Sequence, residues 1–147
     1  MIKSTLCYIE KDGCYLMLLR NKKEHDVNAG KWIGIGGKFE EGETAEECLK
    51  REVREETGVI LTEYHFYGII KFRSDDAESE DMYLYSASEY AGQIAENCAE
   101  GTLQWVPKED VLNLNLWEGD RLFLREMLAG TEEINMTLEY KGDKLIQ

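Results

Sequence analysis

The sequence predicts a mixed α+β fold in which helices cover a mixed β-sheet. Three observations predict it. Strand-like apolar runs recur along the chain, two amphipathic helical segments fall between them, and turn residues punctuate the series without an internal repeat or a low-complexity linker.

Residues 2–10 are rich in apolar and β-prone side chains, Lys11-Asp12-Gly13 reads as a turn, and residues 14–19 form a compact apolar strand, so the chain opens on a hairpin. Residues 20–30 are polar and read as a loop. Residues 31–39 alternate apolar side chains with glycine, which suits an extended chain closely approached by another group. Thr44 and Glu47 have capping-box spacing and Gly58 is placed to end the helix they begin. Strands are expected over 64–72 and 82–87, around an acidic loop at 74–81. A short strand at 103–106 precedes Pro107, and 107–112 reads as a short helix. A second long helix is expected over 120–128 and a last strand over 134–140.

The chain has 147 residues, 43% hydrophobic and 32% charged, with one proline, which fits one globular domain over 1–147. No apolar run approaches the ~18 residues of a membrane span, and the segment MIKSTLCYIE does not read as a signal peptide. Cys7, Cys14, Cys48 and Cys98 form no CxxC pair, so neither a zinc site nor a disulfide framework is indicated, and a reduced, cytoplasmic setting is expected. A formal charge of −13 argues against a grip on nucleic-acid polymers. A small phosphorylated ligand stays open, because a divalent cation reverses the local sign.

Stepping ~100° per residue around the 44–57 helix puts Ala45, Cys48, Leu49 and Val53 on one side. Glu46, Glu47, Lys50, Arg51, Arg54 and Thr57 fall on the other. Glu52, Glu55 and Glu56 project toward the apolar stripe, related as i, i+3 and i+4. Two such charges ~4 Å apart repel by ~4 kcal/mol at an effective dielectric near 20. On a half-buried face they must be protonated, paired with bases such as Arg51 and Arg54, or bound to a cation. Hard oxygen donors without His or Cys favour Mg²⁺, Mn²⁺ or Ca²⁺ over zinc. A solvated Glu-rich helix with intrahelical pairs is the open alternative on these residues alone.

Within GKFEEGETAEECLKREVREETGV, the residues Gly37, Glu43, Arg51, Glu52, Val53, Glu55, Glu56, Gly58 and Val59 follow the pattern GX5EX7REUXEEXGU, U being apolar, without a mismatch. The pattern arises by chance at below ~10⁻⁶, and in it the chain resembles the Nudix hydrolases. The resemblance implies a Nudix-type α/β/α sandwich and metal-aided hydrolysis of a nucleoside diphosphate linked to another group, with Mg²⁺ as cofactor and Mn²⁺ as its substitute. It implies Glu52, Glu55, Glu56 and the Gly36 carbonyl as metal ligands. Arg51 would orient the acidic cluster, and Gly37, Glu43 and Gly58 would support the box. Arg51 as a surface ion-pair partner and Glu43 as a helix N-terminal charge are the alternatives. Glu56 and Glu100 are the two candidates for the base that takes the proton of water. Glu100 is also a candidate additional ligand, against the alternative of a plain loop glutamate.

Outside the box, GKWIGIGGKFEEGET, EGTLQWV and NLWEGDRLF resemble the MutT-like 8-oxo-dGTP diphosphatases. That likeness implies cleavage of an oxidised purine nucleoside triphosphate to the monophosphate and pyrophosphate, as in nucleotide sanitation. Lys23 and Lys38 would meet the phosphates, Trp117 would stack on the base, Asp120 would read its edge and Phe72 would line the pocket. Solvated lysines, core packing of Trp117 and Phe72, and helix N-capping by Asp120 are the competing readings. Two positions depart from the human-type pattern: Ile33 stands where an Asn reads the purine, and Gly119-Asp120 replaces two aspartates. The rivals are a Nudix hydrolase of ADP-ribose, a sugar-nucleotide or a dinucleoside polyphosphate, and a non-catalytic effector-binding module. The expected partner is a small-molecule nucleotide, without a nucleic-acid polymer or membrane, for a monomer or homodimer.

Overall fold

A computed structural model describes residues 1–22 and 28–146. In chain order the elements are β1 (Ile2–Lys11), β2 (Cys14–Arg20), β3 (Trp32–Ile33), β4 (Ile35–Lys38), α1 (Ala45–Thr57), β5 (Ile60–Ser74), β6 (Glu80–Ala91), β7 (Asn97–Cys98), β8 (Gly101–Pro107), α2 (Lys108–Val111), α3 (Glu118–Leu128), β9 (Met136–Lys141) and β10 (Lys144–Leu145). The strands run in the order β10-β9-β5-β6-β1-β2-β8-β7, with β3 paired to β2 and β4 to β1. β1 pairs with β6 and β5 with β9 in parallel, and the other pairs are antiparallel, so the sheet is mixed as expected.

β1 and β2 divide the interior. Leu6, Tyr8, Tyr15 and Met17 face one apolar cluster, which Phe123, Leu124 and Met127 of α3 close. Cys7, Ile9, Leu16 and Leu18 face the other, closed by Leu49 and Val53 of α1. The alternation follows from the two-residue period of a strand. With both faces covered, 4–9 is buried without a break, which is why it reads as a continuous apolar run.

α1 begins and ends as its sequence predicts. The Thr44 hydroxyl accepts from the Glu47 N–H at 3.2 Å and the Glu47 carboxylate accepts from the Thr44 N–H at 2.9 Å. Gly58 stops the helix in a left-handed conformation, its N–H bonded to the Arg54 carbonyl. Two residues depart from the helical-wheel expectation. Thr57 is buried, because its hydroxyl donates to the Val53 carbonyl at 2.6 Å and needs no water. The Glu55 side chain remains 58% exposed, against 16% for Glu52.

β5 and β6 run well past their apolar segments, because the ladder between them continues from Ile60↔Ala91 to Phe72↔Glu80 regardless of side-chain polarity. β7 and β10 have two residues each and carry no periodicity to detect. α3 begins at Glu118 with Trp117 at its cap position, so Asp120 is an early helical residue and not the N-cap.

Candidate active site

The site is built on the β4-to-α1 connection. Thr5↔Gly37 and Leu6↔Gly36 pair β4 to β1. A Cβ on Gly36 would lie 1.9 Å from the Thr5 carbonyl oxygen, so only glycine permits this pairing distance. A Cβ on Gly37 would lie 2.5 Å from the Glu52 carboxyl carbon, so the glycine leaves the space that this carboxylate fills.

Arg51 organises the cluster. Its guanidinium takes Glu43 with two bonds, from Nε at 2.6 Å and Nη2 at 3.0 Å, while Nη1 reaches Glu52 at 2.8 Å and Glu55 at 3.2 Å. Nη2 also donates to the Lys38 carbonyl at 3.0 Å, which ties the loop to the helix. Glu43 in turn accepts from the Glu40 N–H at 2.8 Å. The Arg51 hydrogen bonds pull the Glu43 carboxyl down to about 2, and the Glu43 bonds in turn raise Arg51 above its ordinary value.

Glu56 is buried and its Oε2 accepts from the Gly36 N–H at 3.1 Å. Burial, reinforced by the charges of Glu52 and Glu100, lifts its carboxyl to about 8 against the pull of the Gly36 bond. Burial also raises Glu52, against the bond and charge of Arg51. Glu100 sits in the turn between β7 and β8, accepting from the Cys98 thiol at 3.6 Å, and its charge acts on both Glu52 and Glu56. The helix α1 and the β7–β8 turn thus bring acid groups within electrostatic reach of one another.

Among the described residues, no three Asp, Glu, His or Cys side chains already converge on a point that could hold a metal ion. Arg51 draws Glu52 and Glu55 to itself, and Glu56 is turned toward Gly36. The donor chemistry nevertheless suits a hard divalent cation: the donors are oxygens, burial disfavours the charge on two of the carboxyls, Glu52 and Glu56, and a cation would relieve both.

A second group of side chains gathers near the start of α3. Trp117 donates from Nε1 to Asn28 Oδ1 at 2.8 Å, Tyr140 of β9 meets its ring edge-on at 5.8 Å, and Phe72 lies 6.4 Å beyond Tyr140. Asp120 is buried, which lifts its carboxyl to about 7 even though the Lys31 charge opposes the shift. The Gly119 N–H donates to the Tyr140 hydroxyl at 2.8 Å, and a Cβ at 119 would come within 2.8 Å of that oxygen. A second aspartate before Asp120 would therefore have to displace the Tyr140 and Leu138 side chains. Ile33 packs on the cluster closed by α1, whereas Trp32 packs on the cluster closed by α3. Arg20 joins the two groups: its backbone pairs with Gly30 and Lys31, and its charge acts on Glu56.

The structure therefore brings Glu43, Arg51, Glu52, Glu55, Glu56, Gly36, Gly37 and Glu100 together, and separately Trp117, Asp120 and Phe72. Gly58 acts at the far end of α1 as its cap. Lys38 contributes its carbonyl to the cluster while its side chain is exposed. Lys23 lies outside the described residues. Lys31, Asn115 and Tyr140 escape sequence reasoning, because none belongs to a spaced motif and the contacts that gather them cross up to 85 residues of chain.

The NUDIX domain profile matches residues 3–127. The chain belongs to the Nudix family. Among its relatives, the uncharacterized Nudix hydrolase YvcI of Bacillus subtilis strain 168 is 32% identical over 140 residues, covering 92% of this chain and 85% of the relative. The oxidized purine nucleoside triphosphate hydrolase of Danio rerio is 35% identical over 125 residues, covering 84% and 78%. The crystal structure of the mutator MutT protein from Bacillus halodurans superposes with a TM-score of 0.89 at 27% identity, covering 100% of this chain and 95% of that one. This Nudix hydrolase shares with MutT the mixed sheet flanked by helices that its sequence predicts.

Proposed function

We infer that this Nudix hydrolase cleaves a purine nucleoside triphosphate, an oxidised one such as 8-oxo-dGTP foremost, to the monophosphate and pyrophosphate in the presence of Mg²⁺. The observation that supports this reading is a braced acidic cluster, centred on Glu52 and Glu56, and its link through Arg20 to the turn that meets Trp117 and carries the Lys31 charge acting on the buried Asp120. The name of the Danio rerio relative supports the oxidised purine.

Glu52, Glu55, Glu56, Glu100 and the Gly36 carbonyl would hold a divalent cation, which would supply charge stabilisation at phosphoryl oxygens and a more acidic water. The chain does the rest. Arg51 holds Glu43, Glu52 and Glu55 against their mutual repulsion. Water adds in line to a phosphorus of the α–β anhydride, the bridging oxygen departs, and Glu56 or Glu100 takes the proton of the water. Trp117 offers a stacking face, Asp120 a hydrogen-bonding edge group and Phe72 an apolar wall. Lys38 and Lys23 meet the phosphates.

Hydrolysis of 8-oxo-dGTP, dGTP, ADP-ribose and diadenosine tetraphosphate, followed by chromatography of the nucleoside monophosphate that each releases, tests the assignment. 8-oxo-dGTP is expected to have the highest kcat/KM, by about tenfold over ADP-ribose and the dinucleotide. Faster cleavage of either of those two moves the substrate to the rival class, and no cleavage of any of the four in Mg²⁺ or Mn²⁺ overturns the enzymatic reading.

The two neighbouring glycines give separable expectations. Gly36→Ala drives a methyl into the Thr5 carbonyl and should cost about 3 kcal/mol of stability in denaturant unfolding. Gly37→Ala meets only the end of the Glu52 side chain, so it should displace that carboxylate and lower turnover about tenfold or more while the melting temperature changes little.

A further inference from the structure

The turn 28–31 is fastened to the segment before α3 by a set of bonds that the hydrolytic chemistry does not require. The Asn115 amide donates to the Gly30 carbonyl at 2.9 Å and its Oδ1 accepts from Lys31 Nζ at 3.4 Å, while its carbonyl accepts the Trp32 N–H at 3.0 Å. The result is an ammonium group that lies over the Trp117 ring, 4.9 Å from its centre. The same ammonium is the charge that most opposes protonation of Asp120. A flat base that stacks on that face and presents an edge to Asp120 takes the place of the ammonium, which must swing to the edge of the base and there meets it as a cationic donor beside the Asp120 carboxylate.

We propose that Lys31 is a base-selecting residue, donating to the 6-carbonyl of a guanine-type purine and rejecting the 6-amino group of an adenine-type one. The proposal rests on the purine triphosphate reading above and names the base within it. A guanine edge carries the O6 acceptor that a lysine takes, and its N1–H and N2–H donors suit a carboxylate. An adenine edge sets its N6 donor against the ammonium, leaving donor facing donor. Ile33 has no polar atom to contribute to this choice, and Asp120 alone accepts from either base when ionised and donates when protonated. Lys31 breaks that tie, both by its own bond and by favouring the carboxylate form of Asp120.

The test compares wild type, Lys31→Met and Lys31→Arg in two measurements. One is kcat/KM for dGTP and dATP in Mg²⁺, and the other is calorimetric binding of dGMP and dAMP without metal. Wild type should favour the guanine member of each pair by about tenfold, Lys31→Met should bring both ratios to near unity, and Lys31→Arg should retain most of the preference. A residue that merely fastened the turn would weaken both bases alike, so an unchanged ratio in Lys31→Met overturns the proposal. So does a wild type that shows no guanine preference in binding, or binds neither monophosphate. Wild type that binds dGMP over dAMP but cleaves neither triphosphate would overturn the proposed reaction and leave the role of Lys31 standing.

Discussion

Glu56→Gln is expected to lower kcat at saturating Mg²⁺ by about a hundredfold or more, while raising the stability of the metal-free protein at alkaline pH. Glutamine keeps the shape of the side chain and an oxygen for the Gly36 N–H, so the change removes charge and basicity with little disturbance of packing. The stability effect follows from proton linkage. The folded chain holds the Glu56 proton up to about pH 8, against an ordinary value of 4.5. Below 4.5 both folded and unfolded chains are protonated and burial of Glu56 is tolerated. As pH rises from 4.5 toward 8 the unfolded chain gives up the proton first, so stability falls across that window and levels off above it. Thermal melts of the metal-free protein at pH 5 and pH 8 should show this loss in wild type and a smaller one in the variant. Mg²⁺ should restore wild type at pH 8, where it takes the place of the proton. Near-normal turnover in both Glu56→Gln and Glu100→Gln would remove the base assignment from both residues.

Arg51→Met carries the second large expectation. The substitution retains the apolar stem and deletes the guanidinium, leaving Glu43, Glu52 and Glu55 without the cation that holds them together. The Arg51 side chain keeps 21% of its surface in water, which puts the loss at about 2 kcal/mol, below that of a fully buried pair. Turnover should fall with it, because Glu52 loses its anchor and the loop loses its tie at the Lys38 carbonyl. The stability difference between wild type and variant should shrink on acidification, since Glu43 keeps its charge down to about 2 only while Arg51 is present. Equilibrium urea unfolding at pH 7 and pH 3 reads this directly. Equal losses at the two pH values would mean that the guanidinium acts through its bond to the Lys38 carbonyl and not through the charge of Glu43.

The acidic cluster was legible because its members are local in sequence. A helix converts i, i+3 and i+4 into spatial neighbours, and the capping residues Thr44, Glu47 and Gly58 announce where that helix starts and stops. What periodicity does not reveal is how each carboxylate is satisfied. Glu55 and Glu56 are adjacent, yet one is exposed and the other buried, because Arg51 reaches the first and the β4 backbone reaches the second. The pairing of Trp117 with Asn28, and of Lys31 with Asn115, spans more than 80 residues and depends on how two loops meet. Single-residue chemistry gives no sign of that meeting. The reading of Asp120 as a helix cap fails for a related reason: helix ends are set by backbone conformation, and Trp117 takes the position although it has no capping oxygen.

Tyr140 lies beyond residue 127, where the family match ends, yet its hydroxyl fixes Gly119 and its ring abuts both Trp117 and Phe72. The residues that brace the acidic cluster all lie within the family match, while Tyr140, outside it, packs on two of the aromatic rings of the proposed base site. Exchange of residues 136–141 is therefore expected to shift the preference among nucleotides while the hold of Arg51 on Glu43, Glu52 and Glu55 is retained.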